Sequence, residues 1–338
     1  MKINMQKWAE EIIAAKDRRN LPVLYFPLAA ECGLTVTESV SDPDNIVTVM
    51  KKVLDRYPET IAAVTGMDLT VDTEAFGGKV MYAENMVPSI CEHPVADVEA
   101  IHALKVPNIH SGRVDIFTEA TRRAQDVITD RPIMGGMLGP FSLAANLMEV
   151  SNALITTMMY PEDMKVLLDK TTEFLIARAK EYKAAGANGI FIAEPTAGLL
   201  SPELLDEFSS VYVKKLVEAV QDDYFFLILH DCGNVKDSVK SMYDTGCKGH
   251  HYGNNVDMKD ILCQIPADIL VFGNIDPSTA FFSGTPESVY EKTTNLLNDM
   301  KPYPHFVLSS GCDLAAQAPL ANVDAYYQAQ RDFNVANA

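Results

Sequence analysis

Three residues with the chemistry of metal ligands lie at the ends of two apolar segments. His230 ends the segment FFLILH, Cys232 follows it by two residues, and Cys312 follows the segment HFVLSS. Imidazole and thiolate are donors that zinc accepts readily, and three protein ligands leave a fourth position for water or substrate. A histidine and a cysteine spaced as H-x-C are also typical of an ordinary protein core. The prediction of a metal site therefore depends on the second cysteine, which lies at the end of a second segment. We predict a catalytic zinc site formed by His230, Cys232 and Cys312.

An open zinc site with two thiolates supports more than one reaction. It can bind a substrate thiol, lower its pKa and hold it as a nucleophile. It can also polarise a leaving oxygen. The spacing of the ligands does not choose between these two reactions.

Three further polar residues occupy similar positions, and we predict that they are catalytic. Glu194 ends the segment GIFIAE, Asn234 follows the H-x-C pair, and His251 lies in the segment GHHYG. Each has a structural alternative. An acid after a strand can cap a helix, and an asparagine after a strand can form a turn.

A second set of residues is predicted to bind the cofactor. Asn274 and Asp276 follow the segment LVFG, and Tyr252 directly follows His251. A zinc-bound histidine usually donates its other ring nitrogen to a neighbouring group, and we expect Asn274 or Asp276 to accept that bond. The alternative for both is turn formation by Asn and Asp-Pro.

The segments that carry these residues alternate with amphipathic stretches. Apolar runs of this length, bounded by Gly, Asn or Pro, indicate strands, and the longer periodic stretches indicate helices. Strands that are nearly all apolar must be covered on both faces, which favours a parallel sheet. The predicted strands are 21–28, 60–71, 132–138, 189–194, 225–230, 248–253, 268–274 and 305–310, and the predicted helices include 44–57, 161–186, 202–221 and 286–300.

A regular alternation of strand and helix admits an open doubly wound sheet or a closed barrel. A dinucleotide-binding sheet would carry GxGxxG after its first strand, and the sequence has no such segment. We therefore predict a (β/α)₈ TIM barrel of α/β class, with N-terminal helical decoration, in one domain over residues 1–338. The carboxyl ends of all strands converge on one face of a barrel, so His230 and Cys312 can meet there.

The overall charge limits the partners. With 28 basic and 46 acidic residues the net charge is −18, which argues against nucleic acid as a partner because nucleic-acid binding depends on Lys and Arg.

No apolar run is long enough to span a membrane, and the N-terminus has no signal-peptide pattern. The six cysteines form no CxxC pair and are expected to be reduced in a cytoplasmic protein. The sequence leaves open whether the chain forms a homo-oligomer.

Several motifs of the sequence resemble one known family. The segments LILHDCGNVKD (227–237), VFGNIDPSTAFFSGTPESV (271–289) and VLSSGCDLAAQAPLANVDA (307–325) are similar to those of the methylcobamide:coenzyme M methyltransferases. These enzymes belong to the uroporphyrinogen decarboxylase superfamily. Further matches lie at 68–80, 139–147 and 194–208, so the resemblance covers nearly the whole chain.

The resemblance implies a zinc ion held by His230, Cys232 and Cys312. It also implies a partner, a corrinoid protein that supplies methylcobamide, and a small-molecule methyl acceptor or donor. The acceptor could be coenzyme M, another thiol or tetrahydrofolate, or a methylated compound could be the donor. Two alternatives are a metal-free decarboxylase acting on a tetrapyrrole and a non-catalytic corrinoid-binding module. The segment YFPLAAECG (25–33) lacks the arginines that the decarboxylases carry there.

One position departs from the family pattern. Family members that use coenzyme M tend to carry a Glu near the metal where this chain has Gly253. The fourth zinc ligand is therefore undetermined. His250, His251 and Glu194 are the candidates to replace it, and only one of the two histidines can point inward because side chains alternate along a strand.

Overall fold

Short apolar segments rich in β-branched and aromatic residues form the strands of the protein. The computed structural model describes residues 2–337. Seven parallel strands pair in the order β1-β4-β5-β6-β7-β8-β9, and β2 and β3 form a separate antiparallel hairpin. The strands are β1 (Ala63–Val64), β2 (Lys79–Ala83), β3 (Met86–Glu92), β4 (Ile133–Leu138), β5 (Gly189–Ala193), β6 (Phe226–Asp231), β7 (Gly249–Tyr252), β8 (Leu270–Ile275) and β9 (Phe306–Ser310).

A short segment, residues 19–21, closes the curled sheet into a barrel. On one side the Leu308 N–H donates to Arg19 O, and the Leu21 N–H donates to Leu308 O at 2.9 Å. On the other side the Ile61 N–H donates to Asn20 O, just before β1. The segment therefore takes the first of the eight strand positions, and the predicted (β/α)₈ barrel is confirmed.

The first two predicted strands are shorter than the sequence suggested. Regular pairing of the predicted strand 21–28 stops near Pro22, which has no N–H to donate, and Pro27 lies in a 3₁₀ turn at Phe26–Leu28. Within 60–71 only Ala63–Val64 is a strand. Asp68 then turns the chain by accepting the Thr70 N–H at 3.0 Å, and helix begins at Val71.

Side-chain caps start two of the helices whose ranges the sequence predicted. Ser201 accepts the Leu204 N–H and Thr285 forms a capping box with Ser288. The predicted helix 202–221 is interrupted by a π-helical turn at Asp206–Ser210. The α-helices are α1 (Met5–Ala14), α2 (Val36–Ser39), α3 (Pro43–Arg56), α4 (Val71–Ala75), α5 (Val98–Ala103), α6 (Val114–Val127), α7 (Pro140–Met148), α8 (Val150–Met159), α9 (Pro161–Ala184), α10 (Pro202–Leu205), α11 (Val211–Val220), α12 (Val239–Tyr243), α13 (Met258–Leu262), α14 (Pro286–Asp299) and α15 (Leu320–Ala336).

The apolar core has two layers. One layer lies between the strands and the surrounding helices. The other fills the barrel interior, with Phe191, Phe226, Phe272 and Val307 among its members, and includes Met5 from α1. Helix α1 thus covers the amino-terminal end of the barrel, which is the predicted N-terminal helical decoration.

The hairpin β2–β3, which the sequence did not reveal, reaches the opposite end. Val87 and Pro88 of β3 line the same cavity as His230 and Cys312. The hairpin therefore covers part of the carboxyl-terminal mouth of the barrel. Among residues 2–337, no helix combines the length and apolar character needed to cross a bilayer.

Candidate metal centre

Two strand ends bring the three predicted metal ligands together at the barrel mouth. His230 lies in β6, Cys232 follows that strand, and Cys312 follows β9. One ligand atom from each lies within 4.8 Å of the other two, and Cys312 Sγ is 3.6 Å from His230 Nε2. Of residues 2–337, these three alone form a group of this kind. The expectation that distant strand ends would meet in the barrel is confirmed.

A hydrogen-bonded chain behind His230 determines which of its nitrogens faces the cysteines. The Ser309 hydroxyl donates its single hydrogen to Leu21 O at 2.7 Å, so it must accept from His251 Nε2 at 2.9 Å. Burial lowers the pKa of His251 well below its usual value, so the ring is neutral and its Nδ1 is an acceptor. That atom lies 2.7 Å from His230 Nδ1, which must donate. The lone pair of His230 is left on Nε2, the atom that faces Cys312.

The two cysteines form a strongly coupled pair. A hydrogen bond from Cys312 lowers the pKa of Cys232 below its usual value. The hydrogen bond to Cys232 and burial raise the pKa of Cys312 well above its usual value. The coupling therefore favours a thiolate on Cys232 over one on Cys312. A bound dication would stabilise a second thiolate, because metal ligation deprotonates cysteine.

The position at which family members carry a glutamate has no room for a side chain in this protein. A Cβ atom at Gly253 would lie 2.5 Å from Cys232 Cα, which is too close for any side chain. His250 does not replace it, because its ring lies on the outward face of β7, beside Tyr243 of α12, whereas the ring of His251 lies beside His230. Burial lowers the pKa of His250 to about 4. His251 faces inward but bonds to His230 and Ser309, so the histidines supply no fourth ligand.

Glu194 lies at a helix terminus. Its two carboxylate oxygens accept the N–H groups of Phe141 and Ser142, at 2.9 and 2.8 Å, in the first turn of α7. The Ser209 hydroxyl, in the π-helical turn, also donates to it at 3.3 Å. Burial raises the pKa of Glu194, and these bonds offset part of that effect. The carboxylate is thus placed as a cap, although on α7 rather than on the helix that follows its own strand.

Asn274 and Asp276, two of the other predicted residues, make structural hydrogen bonds to backbone groups. Asn274 Nδ2 donates to Gly253 O and Val256 O, at 2.9 and 2.8 Å, and so holds the loop after β7. Asp276 caps the π-helical turn Pro277–Phe282. The expectation that Asn274 or Asp276 orients the ligand histidine is wrong, because His251 occupies that place.

Tyr252 and Asn234 differ in burial. Tyr252 is fully buried on the outward side of β7, in the layer between strands and helices, and its hydroxyl has no partner. This placement does not fit contact with a cofactor at the mouth. Asn234 is exposed in the loop after β6, and its catalytic role stays a prediction.

A cavity of about 320 Å³ opens beside the three ligands. Its polar lining consists of His230, Cys312 and Asp313, and the remaining side chains are apolar. They are Val23, Met67, Leu69, Val87, Pro88, Phe191, Ala193 and Pro195. A space of this size and lining holds a small ligand and excludes most water.

Sequence reasoning missed two residues of this site. Ser309 is a polar residue within a buried strand, and a buried hydroxyl requires a partner, which was a usable signal. Asp313 directly follows Cys312 and lines the cavity. Its position in the sequence gave no sign of which way the side chain points.

Comparisons with known proteins agree on one family. A family model described as uroporphyrinogen decarboxylase (URO-D) matches residues 24–333. The methylcobamide:CoM methyltransferase MtbA of Methanosarcina acetivorans is 30% identical over 271 residues, covering 79% of this chain and 78% of that protein. A uroporphyrinogen decarboxylase of Legionella pneumophila is 25% identical over 244 residues, covering 70% of this chain and 69% of that protein.

A solved structure shares the architecture of the whole chain. The structure described as a methyltransferase from Methanosarcina mazei superposes with a TM-score of 0.86 at 25% identity. The match covers 97% of this chain and 98% of that chain. The likeness therefore includes the barrel, the helices around it and the strand ends that carry the candidate metal centre.

Proposed function

The chain belongs to the uroporphyrinogen decarboxylase family, and from the His230, Cys232 and Cys312 group at its barrel mouth we propose a zinc-dependent methyltransferase. The reaction moves a methyl group from the methylcobamide of a corrinoid protein to a small thiol. The observation that carries the proposal is the set of three ligand atoms within 4.8 Å beside a small apolar cavity. The relatives named methylcobamide:CoM methyltransferases support the same chemistry.

The donor set fits zinc. It offers one imidazole nitrogen with its lone pair toward the group and two sulfurs, one of which is already acidic. Three such ligands are typical of catalytic zinc sites, which keep one position for substrate. Zinc in this place would supply a Lewis acid that lowers the pKa of an acceptor thiol.

The chain's own residues hold the reactants in place. His251 and Ser309 fix the ring of His230, and Val87 and Pro88 of the hairpin cover the cavity. In the reaction the thiol would lose its proton to water, and its sulfur would form a bond to the methyl carbon. The carbon–cobalt bond breaks and its electron pair remains on cobalt.

The exposed part of the hairpin is a suitable place for the corrinoid protein to dock. Met81, Tyr82 and Met86 expose 56%, 41% and 64% of their surface, an unusual fraction for large apolar residues. They belong to the same hairpin as the cavity-lining Val87. A partner bound there would lie next to the cavity, as methyl transfer from its cobamide requires.

The decarboxylase alternative is less well supported. A tetrapyrrole substrate carries several carboxylates, and binding them calls for Lys or Arg. Among the described residues that line the cavity there is neither. A non-catalytic corrinoid-binding module stays an alternative, and the methyl-transfer experiment tests it. The cytoplasmic location, the single domain over 1–338 and a homo-oligomeric state stay predictions.

The proposal is tested by methyl transfer from free methylcobalamin. The zinc-loaded protein is mixed with methylcobalamin and a panel of small thiols and tetrahydrofolate, and the cobalt spectrum is followed. We expect loss of the methylcobalamin spectrum with thiols, and a fall of at least about 100-fold in rate for Cys312→Ser, since a ligand is lost. Exposed Cys263→Ser serves as the matched control.

Two results would contradict the proposal. One is binding of methylcobalamin with no transfer to any acceptor, which favours the non-catalytic module. The other is a Cys312→Ser variant as active as wild type.

A further inference from the structure

The side chains that line the cavity at the metal centre fall into two groups. His230 and Cys312 are proposed zinc ligands, and eight of the other nine lining side chains are apolar. A thiol that binds zinc through its sulfur would therefore place the rest of the molecule against apolar side chains. Such a wall offers an occupant van der Waals contact but no hydrogen bonds.

Asp313 is the remaining lining residue and the one exception to this apolar character. Its Oδ1 atom has no accessible surface, so at most one oxygen of this side chain can contact an occupant. The lining side chains therefore provide a polar group on the occupant with very few partners.

Several backbone groups of the lining residues are already hydrogen-bonded within the protein. The Val23 N–H donates to Ser310 Oγ at 3.0 Å, and Val23 O accepts the Leu314 N–H at 3.2 Å. Ala193 O accepts the Gly139 N–H at 2.7 Å. The two prolines of the lining have no N–H to donate. The backbone therefore adds little to what the side chains offer a polar occupant.

We propose that the methyl acceptor is a small thiol whose remaining atoms are apolar, an alkyl or aryl thiol. The inference rests on the proposed function and specifies its substrate class. A hydroxyl group buried without a hydrogen-bond partner is unfavourable, whereas a methyl group of similar size gains free energy by leaving water. The cavity of about 320 Å³ has room for a thiol of several carbon atoms.

Two thiols of nearly the same shape test the selection. In 1-propanethiol a methyl group occupies the place that a hydroxyl group occupies in 2-mercaptoethanol. Their binding to the zinc-loaded protein is measured by calorimetry, and their methylation by methylcobalamin is measured separately. The ratio of the two affinities is compared between wild type and variants, which cancels the different acidities of the thiols.

The variants place the same polar group inside and outside the cavity. Leu69→Asn introduces an amide at a partly exposed lining residue. Leu199→Asn is the matched control, because Leu199 is 61% exposed and does not line the cavity. Val87→Thr, an isosteric change at a lining residue that is 38% exposed, repeats the comparison if Leu69→Asn does not fold.

We expect wild type to bind 1-propanethiol at least about tenfold more tightly than 2-mercaptoethanol, because the hydroxyl loses its bonds to water. Leu69→Asn should reduce this preference about tenfold, with zinc content and circular dichroism unchanged. Leu199→Asn should keep the preference of wild type. Equal binding of the two thiols by wild type, or an undiminished preference in the folded lining variant, would overturn the inference.

The inference and the proposed function can fail separately. The expected order of binding without methylation of either thiol supports apolar selection by the cavity and overturns the proposed transfer to a thiol. Methylation together with tighter binding of 2-mercaptoethanol supports the proposed function and overturns the inference.

Discussion

At the scale of single residues, the ring of His251 determines the chemistry of His230. Because Ser309 uses its hydrogen on Leu21 O, His251 must donate through Nε2 and accept through Nδ1. His230 is then held with its free lone pair toward the cysteines. Such supporting partners of a metal ligand typically change metal affinity 10- to 100-fold when they are removed.

Replacement of His251 should therefore weaken zinc binding without removing a ligand. We expect His251→Leu to lower zinc affinity by about 10- to 100-fold, measured by competition with a chelator. His251→Gln should retain more, because its amide can accept from His230 and donate to Ser309. Equal affinity in wild type and a correctly folded His251→Leu protein would show that the ring has no orienting role.

The sequence was sufficient to predict that the three candidate ligands lie together, but not which residues support them. His230, Cys232 and Cys312 follow strands, and the barrel topology makes strand ends meet. Which of His250 and His251 points inward depends on the register of β7, and the alternation of side chains does not specify it. Glu194 and Asp276 were ambiguous for a related reason, since an acid at the end of a strand serves equally well as a catalyst or a helix cap.

At the scale of elements, the first turn of α7 depends on Glu194. The N–H groups of the first turn of a helix have no partner within the helix, and here two of them are buried and bond to one carboxylate. Ser209 in the π-helical turn adds a third donor. Glu194 thus joins β5, α7 and the turn before α11.

A substitution separates this capping role from a catalytic one. Glu194→Ala should lower the free energy of unfolding by about 2 kcal/mol, measured with denaturant, because two buried donors lose their acceptor. Glu194→Gln should cost less, since one oxygen remains. Zinc content should not change in either variant. A stable Glu194→Gln protein that keeps its zinc but loses methyl transfer would instead support the catalytic prediction.

Strands and long helices were predictable where their periodic patterns were long. Helices α9 and α14 begin at Pro161 and Pro286, where the pattern and the proline placed them. The first strand position was not predictable in detail. Its pairing depends on contacts of Asn20 with residues 59 and 330, which lie far away in the sequence. The hairpin β2–β3 was missed because it packs outside the barrel and follows no strand–helix alternation.

At the scale of the whole molecule, the helix that closes the barrel and the candidate metal centre lie at opposite ends. Helix α1 closes the amino-terminal end, with Trp8 packed edge to face on Phe226 at 5.6 Å. The ligands, the cavity and the hairpin lie at the other end. A net charge of −18 disfavours nucleic acid as a partner. The proposed function requires a different partner, a protein that carries a cobamide.

The proposed docking surface predicts a difference between two methyl donors. Met86→Glu should reduce transfer from a methylated corrinoid protein that serves one of the methyltransferase relatives by about tenfold, because a charge enters an apolar contact. Transfer from free methylcobalamin should stay within about twofold. Val335→Glu, which alters an exposed apolar residue at the end of α15, is the control. Loss of both activities, or of neither, would contradict docking at the hairpin.

The central claim is that His230, Cys232 and Cys312 hold one zinc ion, and a count of zinc per chain tests it most directly. The count is made by native mass spectrometry and elemental analysis on wild type, Cys312→Ala and the control Cys263→Ala. The account predicts about one zinc in wild type and in Cys263→Ala, and far less in Cys312→Ala after dialysis against a chelator. Wild type that binds no zinc, or a Cys312→Ala protein that keeps a full equivalent, would contradict it.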